Sequence, residues 1–150
     1  MKHKGAIMEY SKERMDDLMR AYDEYISSCD YIRMSEVYKI IVNMPSRRFW
    51  VSDIRAALII SAMMRGKTDL STMCPLKKEM YEEIYNRVFK LQEECPELTI
   101  SELCAKVIAQ PAPKFYLTPG SAKVMVCKAR KQWIQEKWKR LRLLKFLLLL

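Results

Sequence analysis

The residues of this chain that could do chemistry are mainly cations, and their balance with acids changes abruptly along the sequence. Residues 1–105 hold 16 Lys and Arg against 17 Asp and Glu, whereas residues 106–150 hold 11 against a single acid, Glu136. The net charge of +9 therefore arises from the last third of the chain. A one-sided positive field attracts polyanions, meaning nucleic acid or an anionic membrane surface.

Ten of these cations are candidate nucleic-acid contacts. Three stand just before aromatic residues in two short loops, and seven follow in the C-terminal segment: Arg47, Arg48, Lys114, Lys123, Lys128, Arg130, Lys131, Lys139, Arg140 and Arg142. Lys and Arg that contact DNA phosphates release condensed counterions, and this release supplies much of the affinity. For any single residue of this set, the alternative is a solvated surface charge without a binding role.

Catalytic and metal-binding chemistry has little material in this sequence. The chain has one histidine, His3, and three glycines, so it offers no base for a catalytic serine in the body of the chain and no phosphate-binding glycine loop. Its five cysteines are scattered without a Cys-x-x-Cys pair, at positions 29, 74, 95, 104 and 127. Such spacing is typical of reduced thiols in a cytoplasmic protein. We therefore expect no enzyme activity, no cofactor and no metal site.

The loops that carry three of the candidates belong to a repeated stretch. Residues 45–52 read Pro-Ser-Arg-Arg-Phe-Trp-Val-Ser and residues 111–118 read Pro-Ala-Pro-Lys-Phe-Tyr-Leu-Thr, an ungapped match at an offset of 66. Upstream, Ser35-Glu36 matches Ser101-Glu102 at the same offset. We interpret this pattern as an internal duplication.

The elements that position these loops are predicted to be helices. Apolar residues at helical spacing predict helices over Lys12–Ser28, Ser35–Asn43 and Ile54–Met64, and the second copy repeats this plan. The sequence thus predicts an all-α fold of two tandem three-helix units packed together, with a basic C-terminal helix. The predicted parts are residues 1–72 for the first unit, 73–134 for the second, and 135–150 for a helical extension.

Capping residues mark the ends of these helices. Ser52 and Thr118 are N-caps for the third helices, and Thr99 with Glu102 forms a capping box for the second helix of unit two. Gly66 ends the third helix of unit one, whereas no Gly or Pro follows in unit two once its third helix is under way. The third helix of unit one is apolar nearly all round, which predicts a central and buried position.

Each loop also carries a Phe followed by a second aromatic residue, Phe49-Trp50 in one copy and Phe115-Tyr116 in the other. We expect these side chains to fill the junction between the second and third helices, because aromatic residues bury a large area. A stacking platform for bases is the alternative. Packing is favoured because Phe is retained while the second aromatic residue varies.

A short second helix, a connection and a basic third helix make each unit resemble a helix-turn-helix domain. The tandem arrangement is similar in style to the small basic helical proteins of phages and mobile elements. The connection over residues 45–51 is longer than the usual turn of about three or four residues in such domains. The resemblance implies duplex DNA as partner, with any insertion into the major groove made by the helix from Thr118.

These observations predict a small cytoplasmic DNA-binding protein, regulatory or accessory to a phage or mobile element, that binds phosphates mainly through its C-terminal basic helix. One alternative is a non-enzymatic adaptor or assembly protein whose basic end binds an acidic protein or a second copy of the chain. Another is a membrane-surface binder that uses the apolar tail at residues 143–150, which is too short to cross a bilayer.

Overall fold

The computed structural model describes residues 4–67 and 70–150. Most of the described residues lie in six α-helices: α1 (Lys4–Ser28), α2 (Met34–Ile41), α3 (Asp53–Met64), α4 (Pro75–Glu94), α5 (Ile100–Ile108) and α6 (Pro119–Leu148). A short 3-10 turn, Leu70–Thr72, precedes α4. Within the described residues, β pairing is confined to one isolated bridge between Ser46 and Ala112. The prediction of an all-α fold is confirmed.

The predicted capping signals begin three of these helices. The Ser52 hydroxyl accepts a hydrogen bond from the Arg55 backbone N–H at the start of α3. Thr118 does the same for Ser121 at the start of α6, where proline occupies the first turn. Thr99 and Glu102 form the reciprocal capping box of α5, whereas α2 starts after Arg33 without a side-chain cap. These side chains satisfy backbone donors that a helix start leaves free.

Helix positions and loop contacts match at the offset of 66. The helices α1 and α4 end at residues 28 and 94, α2 and α5 begin at 34 and 100, and α3 and α6 begin at 53 and 119. Ser46 and Ala112 exchange two backbone hydrogen bonds, both of 3.0 Å. The loops therefore meet at equivalent positions, as an approximate two-fold relation requires. The duplication itself stays our interpretation of the sequence.

The two hydrophobic cores combine helices from both halves of the chain. Helix α6 packs on α1 and α2, while α3 packs on α4 and α5. The first core includes Leu18 of α1 with Ala122 and Val126 of α6. The second includes Ala56 and Ile60 of α3, and lies against α4 and α5. Each third helix thus completes the core of the other half.

The predicted units at residues 1–72 and 73–134 are packed together in such a way that neither encloses a core by itself, because the third helix of each lies on the first two helices of the other. The physical reason lies in the loops and in the two third helices. Ala and an aliphatic residue are fully buried at equivalent places in α3 and α6, so the two helices present similar faces to a core. The two loops meet at the Ser46–Ala112 bridge. After it, α3 packs on α4 and α5, and α6 packs on α1 and α2. The predicted boundary between 134 and 135 also falls inside the continuous helix α6.

Helix α3 is less buried than its composition predicts. Only Ala56 and Ile60 are fully enclosed, while the side chains of Ile54 and Leu58 are exposed. The helix lies at one edge of its core because it contacts α4 and α5 and leaves the opposite side open. An all-round apolar sequence therefore indicates a preference for burial but does not fix the number of neighbours.

Helix α6 continues well past the first core. Val126 is its last buried residue, and every residue from Arg130 to Leu150 is exposed. We call residues 131–150 the α6 extension. At about 1.5 Å per residue, α6 as a whole is about 45 Å long. No helix among the described residues combines the length and the apolar character that crossing a bilayer requires.

Candidate nucleic-acid interface

The three candidate cations of the loops are held by other protein groups. The guanidinium of Arg48 lies over the Trp50 ring, 5.3 Å from its centre, and donates to the carbonyl oxygens of Phe49 and Val51. The Arg47 guanidinium is mostly exposed, with its Nε 3.7 Å from Oδ1 of Asp17. In this arrangement Arg48 stabilises its own loop, and Arg47 keeps only part of its capacity for an external anion.

Lys114 is engaged in the same way in the second loop. Its Nζ lies 2.6 Å from the Glu79 carboxylate of α4 and 5.5 Å from the centre of the Tyr116 ring. The partner acid is far away in sequence, so the pairing depends on the tertiary fold. The structure therefore does not bring the three loop cations together into one free cluster.

The aromatic residues of the loops are part of the cores. Phe49 is 0% exposed in the second core, and Phe115 is 4% exposed in the first. Tyr116 stacks on Phe49 at a centroid distance of 6.1 Å, and the Arg87 guanidinium lies 4.9 Å from the centre of the Phe49 ring. The two Phe side chains are thus unavailable for stacking with bases, as the packing interpretation predicts.

The candidates on α6 are in a different environment. All seven are exposed: Lys123, Lys128, Arg130, Lys131, Lys139, Arg140 and Arg142. Among the described residues, no acid lies within ion-pair distance of any of them. The only acid in this part of the chain is Glu136. These side chains are therefore free to meet an external anion.

Four of the seven form a line along one side of α6. At about 3.6 residues per turn, Lys128, Lys131, Lys139 and Arg142 fall within about 80° of one another around the helix axis. We call these four residues the basic stripe; it spans about 21 Å along the axis at about 1.5 Å per residue. The other three point elsewhere, and Arg130 comes near the Tyr38 hydroxyl group of α2.

A buried carboxylate that sequence reasoning missed positions the first loop. Asp17 of α1 is 1% exposed and accepts hydrogen bonds from the Arg47 backbone N–H at 2.9 Å and from Trp50 Nε1 at 3.1 Å. Its second oxygen, Oδ1, accepts from Nε and Nη2 of Arg20, and Nη2 also donates to the Pro45 carbonyl. Asp17 therefore connects α1 to the loop through hydrogen bonds and an ion pair.

The second loop has a weaker version of this arrangement. Arg87 of α4 donates to the Glu83 carboxylate at 2.9 Å and to the Pro111 carbonyl at 2.9 Å. The offset of 66 aligns Asp17 with Glu83 and Pro45 with Pro111, which is a signal that sequence reasoning could have used. The two arginines are one position out of register, so the alignment alone does not reveal them.

The described part of the chain shows no cluster of metal ligands, and its buried cysteine, Cys104, is a structural residue. No group of three or more His, Cys, Asp or Glu side chains there could hold a metal ion. Burial raises the pKa of the Cys104 thiol to about 11, so it is protonated at neutral pH. Its side chain packs in the second core as a small apolar group.

Comparison with protein-family models, with curated proteins and with solved structures gives no match. Function is therefore inferred from the chain's own surface. Two features of that surface stand out: the exposed basic stripe on α6, and the exposed apolar side chains of the α6 extension.

Proposed function

We propose that this protein binds duplex DNA through phosphate contacts made by the basic stripe of α6. The observation that carries the proposal is the line of four exposed cations that have no ion-pair partner within residues 4–67 and 70–150: Lys128, Lys131, Lys139 and Arg142. A straight helix holds these charges along one side, so they can face a regularly charged strand together. Duplex DNA is such a polyanion, with one charge per about 1.7 Å of axis.

The charge distribution supports binding by this end of the molecule. Residues 1–105 have nearly equal numbers of acids and bases, while residues 106–150 carry a large excess of bases. Several acids of the body are already used internally, as Asp17 and Glu79 illustrate. The field of the molecule is therefore concentrated where α6 leaves the body, and it would steer a polyanion to that helix.

The contacts available favour recognition of the backbone over reading of base sequence. A bidentate arginine or an amide side chain at the tip of a groove-entering helix is the usual source of base discrimination. The stripe consists of three lysines and one arginine, and lysine acts as a point charge toward phosphate. We therefore expect binding to duplexes of any sequence with similar affinity, and a strong dependence on salt.

A salt titration of binding to a short duplex tests the proposal. If the stripe supplies four phosphate contacts, the slope of log affinity against log salt should lie near about −3 to −4, at about −0.9 per contact. Replacing the four stripe residues by Gln should flatten this slope and weaken all sequences alike. Replacing Arg47 and Arg48 should do less, because Arg48 is bound within its own loop.

A charge-matched control separates the stripe from net charge. In the control, four exposed lysines of the body are replaced by Gln, which removes the same total charge from outside α6: Lys67, Lys77, Lys78 and Lys90. This variant should keep most of the slope of the parent. Absence of binding at low salt, or equal losses in the two variants, would reject the stripe as the binding surface.

A further inference from the structure

The α6 extension exposes an unusual amount of apolar surface for a helix outside any core. Trp133 is 62% exposed and Trp138 is 60% exposed, and the aliphatic side chains that follow are exposed as well. The exposed large apolar residues of the extension are Trp133, Ile134, Trp138, Leu141, Leu143, Leu144, Phe146, Leu147, Leu148, Leu149 and Leu150. A contiguous exposed apolar patch of this kind marks an interaction surface.

These apolar residues are ordered along the helix. Six of them fall within about 140° of one another at about 3.6 residues per turn, on the side next to the basic stripe: Trp133, Ile134, Trp138, Leu141, Leu144 and Leu148. We call these six the apolar side of the extension. From Leu143 onward, apolar residues surround the helix except at Lys145. The extension is therefore amphipathic over its first turns and apolar at its end.

Lysine side chains on the apolar side do not break its continuity. Lys137 lies between the tryptophans, and its Nζ is 5.2 Å from the centre of the Trp133 ring. Here the ammonium group lies over the indole ring, and at a membrane interface the flexible side chain can extend so that its carbon chain covers apolar surface and the ammonium reaches the polar layer. The cations thus border the apolar side closely enough to serve the same ligand.

Two other partners fit this surface less well. A second copy would bring two extensions together, each with six Lys and Arg against one Glu in residues 131–150, so the pair would repel. Duplex DNA can contact the basic stripe, but phosphates gain nothing from indole rings and leucine side chains. A partner must therefore combine negative charge with an apolar interior.

We propose that the α6 extension binds the surface of an anionic phospholipid bilayer, lying in the plane of the interface with its apolar side toward the acyl chains. The flanking Lys and Arg then meet the phosphates of the headgroups. Tryptophan is favoured at this depth because its ring is apolar and its N–H is polar. This inference does not require the proposed DNA binding, because it depends on the apolar side, but both would use the cations Lys131, Lys139 and Arg142.

Vesicle binding of the full chain, followed by tryptophan fluorescence and co-sedimentation, tests the inference. With vesicles of phosphatidylcholine and phosphatidylserine, we expect binding and a shift of the emission to shorter wavelength. With vesicles of phosphatidylcholine alone, binding should be much weaker. Anionic vesicles that bind without any emission shift, and release the protein completely at high salt, would mean charge attraction alone and would overturn the proposal.

Matched variants locate the contact. Replacing Trp138, Leu141 and Leu144 by Ser should reduce affinity for anionic vesicles by more than about tenfold, because affinity scales with the apolar area buried. Replacing three exposed apolar residues of the body by Ser should leave it unchanged: Ile54, Leu58 and Val124, which are 74%, 65% and 67% exposed. Equal affinities of the two variants would overturn the proposal.

Other outcomes remain distinguishable. If the protein associates in solution without lipid, and its tryptophan emission is already shifted in that assembly, a second copy covers the apolar side and the membrane proposal is wrong. The Ser variant of the extension keeps the basic stripe, so it should still bind duplex DNA. Failure of DNA binding in the parent would reject the proposed function and leave the vesicle result to be judged alone.

Discussion

Helices α3 and α6 occupy the same place in the two halves of the chain, yet only α6 carries a candidate binding surface. Both begin at a hydroxyl N-cap, and both fully bury an Ala and an aliphatic residue at equivalent positions, Ala56 with Ile60 and Ala122 with Val126. They differ where α3 ends. Gly66 adopts a φ of 65° after α3, while the equivalent position in α6 is a glutamine inside the helix. The two helices share the face that packs into a core, and they differ in length and in the residues of their outer side.

The comparison separates the residues that build the fold from those available for binding. The loop cations of both halves are engaged with carbonyl oxygens, aromatic rings or acids. Four of the seven free cations and the exposed tryptophans Trp133 and Trp138 lie on the part of α6 that has no counterpart in α3; the other three cations lie on the outer side of the shared length. Perturbing the shared framework should therefore change stability, while perturbing the extension should change binding.

The largest effect is expected at the two buried phenylalanines. Phe49→Ala and Phe115→Ala should each reduce the free energy of unfolding by roughly 3–5 kcal/mol, as deletion of a buried Phe does. Because the third helices are exchanged, Phe49→Ala should lower amide-exchange protection in α4 and α5, and Phe115→Ala in α1 and α2. Denaturant unfolding and hydrogen exchange would measure these changes.

Exposed residues at equivalent positions give the controls for this test. Leu58→Ala and Val124→Ala remove side chains that are 65% and 67% exposed, so each should change stability by less than about 0.5 kcal/mol. If Phe49→Ala instead loosened α1 and α2, each half would form its own core. The exchanged arrangement of α3 and α6 would then be wrong.

The next effect compares the two carboxylates that support the loops. Asp17→Ala leaves the Arg47 N–H and Trp50 Nε1 without their acceptor inside the protein, and should cost roughly 3 kcal/mol. Glu83→Ala removes a carboxylate whose side chain is 38% exposed, and should cost less than about 1 kcal/mol. Thermal or denaturant unfolding of both variants measures the difference. Equal losses would contradict the view that the first loop depends on a buried acceptor.

The helices and their ends could be predicted from the sequence because their signals are local. Caps such as Ser52 and Thr118, and the capping box at Thr99, act within a few residues of the chain. The exchange of the third helices could not be predicted. Because Ala56 and Ala122 occupy equivalent positions, α3 and α6 have similar packing faces. The periodicity of apolar residues therefore does not show whether α3 packs on α1 and α2 or on α4 and α5.

The same distinction between local and tertiary signals applies to the candidate site. The scarcity of local ion pairs for the α6 cations could be predicted, because Glu136 is the only acid in residues 106–150. The engagement of Lys114 with Glu79, and of Arg47 with Asp17, joins residues far apart in sequence. Such pairs arise only from the tertiary fold, and for that reason the loops looked more available than they are.

A smaller effect is expected where α3 ends and α6 continues. Gly66→Ala should cost about 1 kcal/mol through backbone strain alone, because a Cβ there meets no atom within 4 Å. Gln132→Gly also costs about 1 kcal/mol of helix stability, but in a segment outside both cores. Unfolding of the body should therefore respond only to Gly66→Ala, while circular dichroism should show helix loss only in Gln132→Gly. A lower midpoint in both variants would mean that the extension is packed on the body.

The smallest effect concerns the second aromatic residue of each loop, which is Trp50 in one half and Tyr116 in the other. Burial, followed by the charges of Glu83 and Glu79, raises the pKa of Tyr116 from 10.0 to about 12. The unfolded chain then releases the phenolic proton at lower pH than the folded chain does. Stability from this group is complete below about pH 10 and is lost as the pH rises toward about 12. Since the ring is partly accessible, the loss should stay below about 1 kcal/mol.

Tyr116→Phe removes the titrating group and keeps the ring that stacks on Phe49. The variant should match the parent near neutral pH and lose less stability between about pH 10 and about pH 12, the interval set by the two pKa values. Tyr31→Phe is the matched control for loss of a phenolic hydroxyl, because Tyr31 is 76% exposed and outside both cores. Denaturant unfolding across this interval gives the comparison. If the parent and Tyr116→Phe lose stability in parallel, the Tyr116 hydroxyl is equally accessible to solvent in the folded and unfolded states. The second loop would then not enclose the Tyr116 ring.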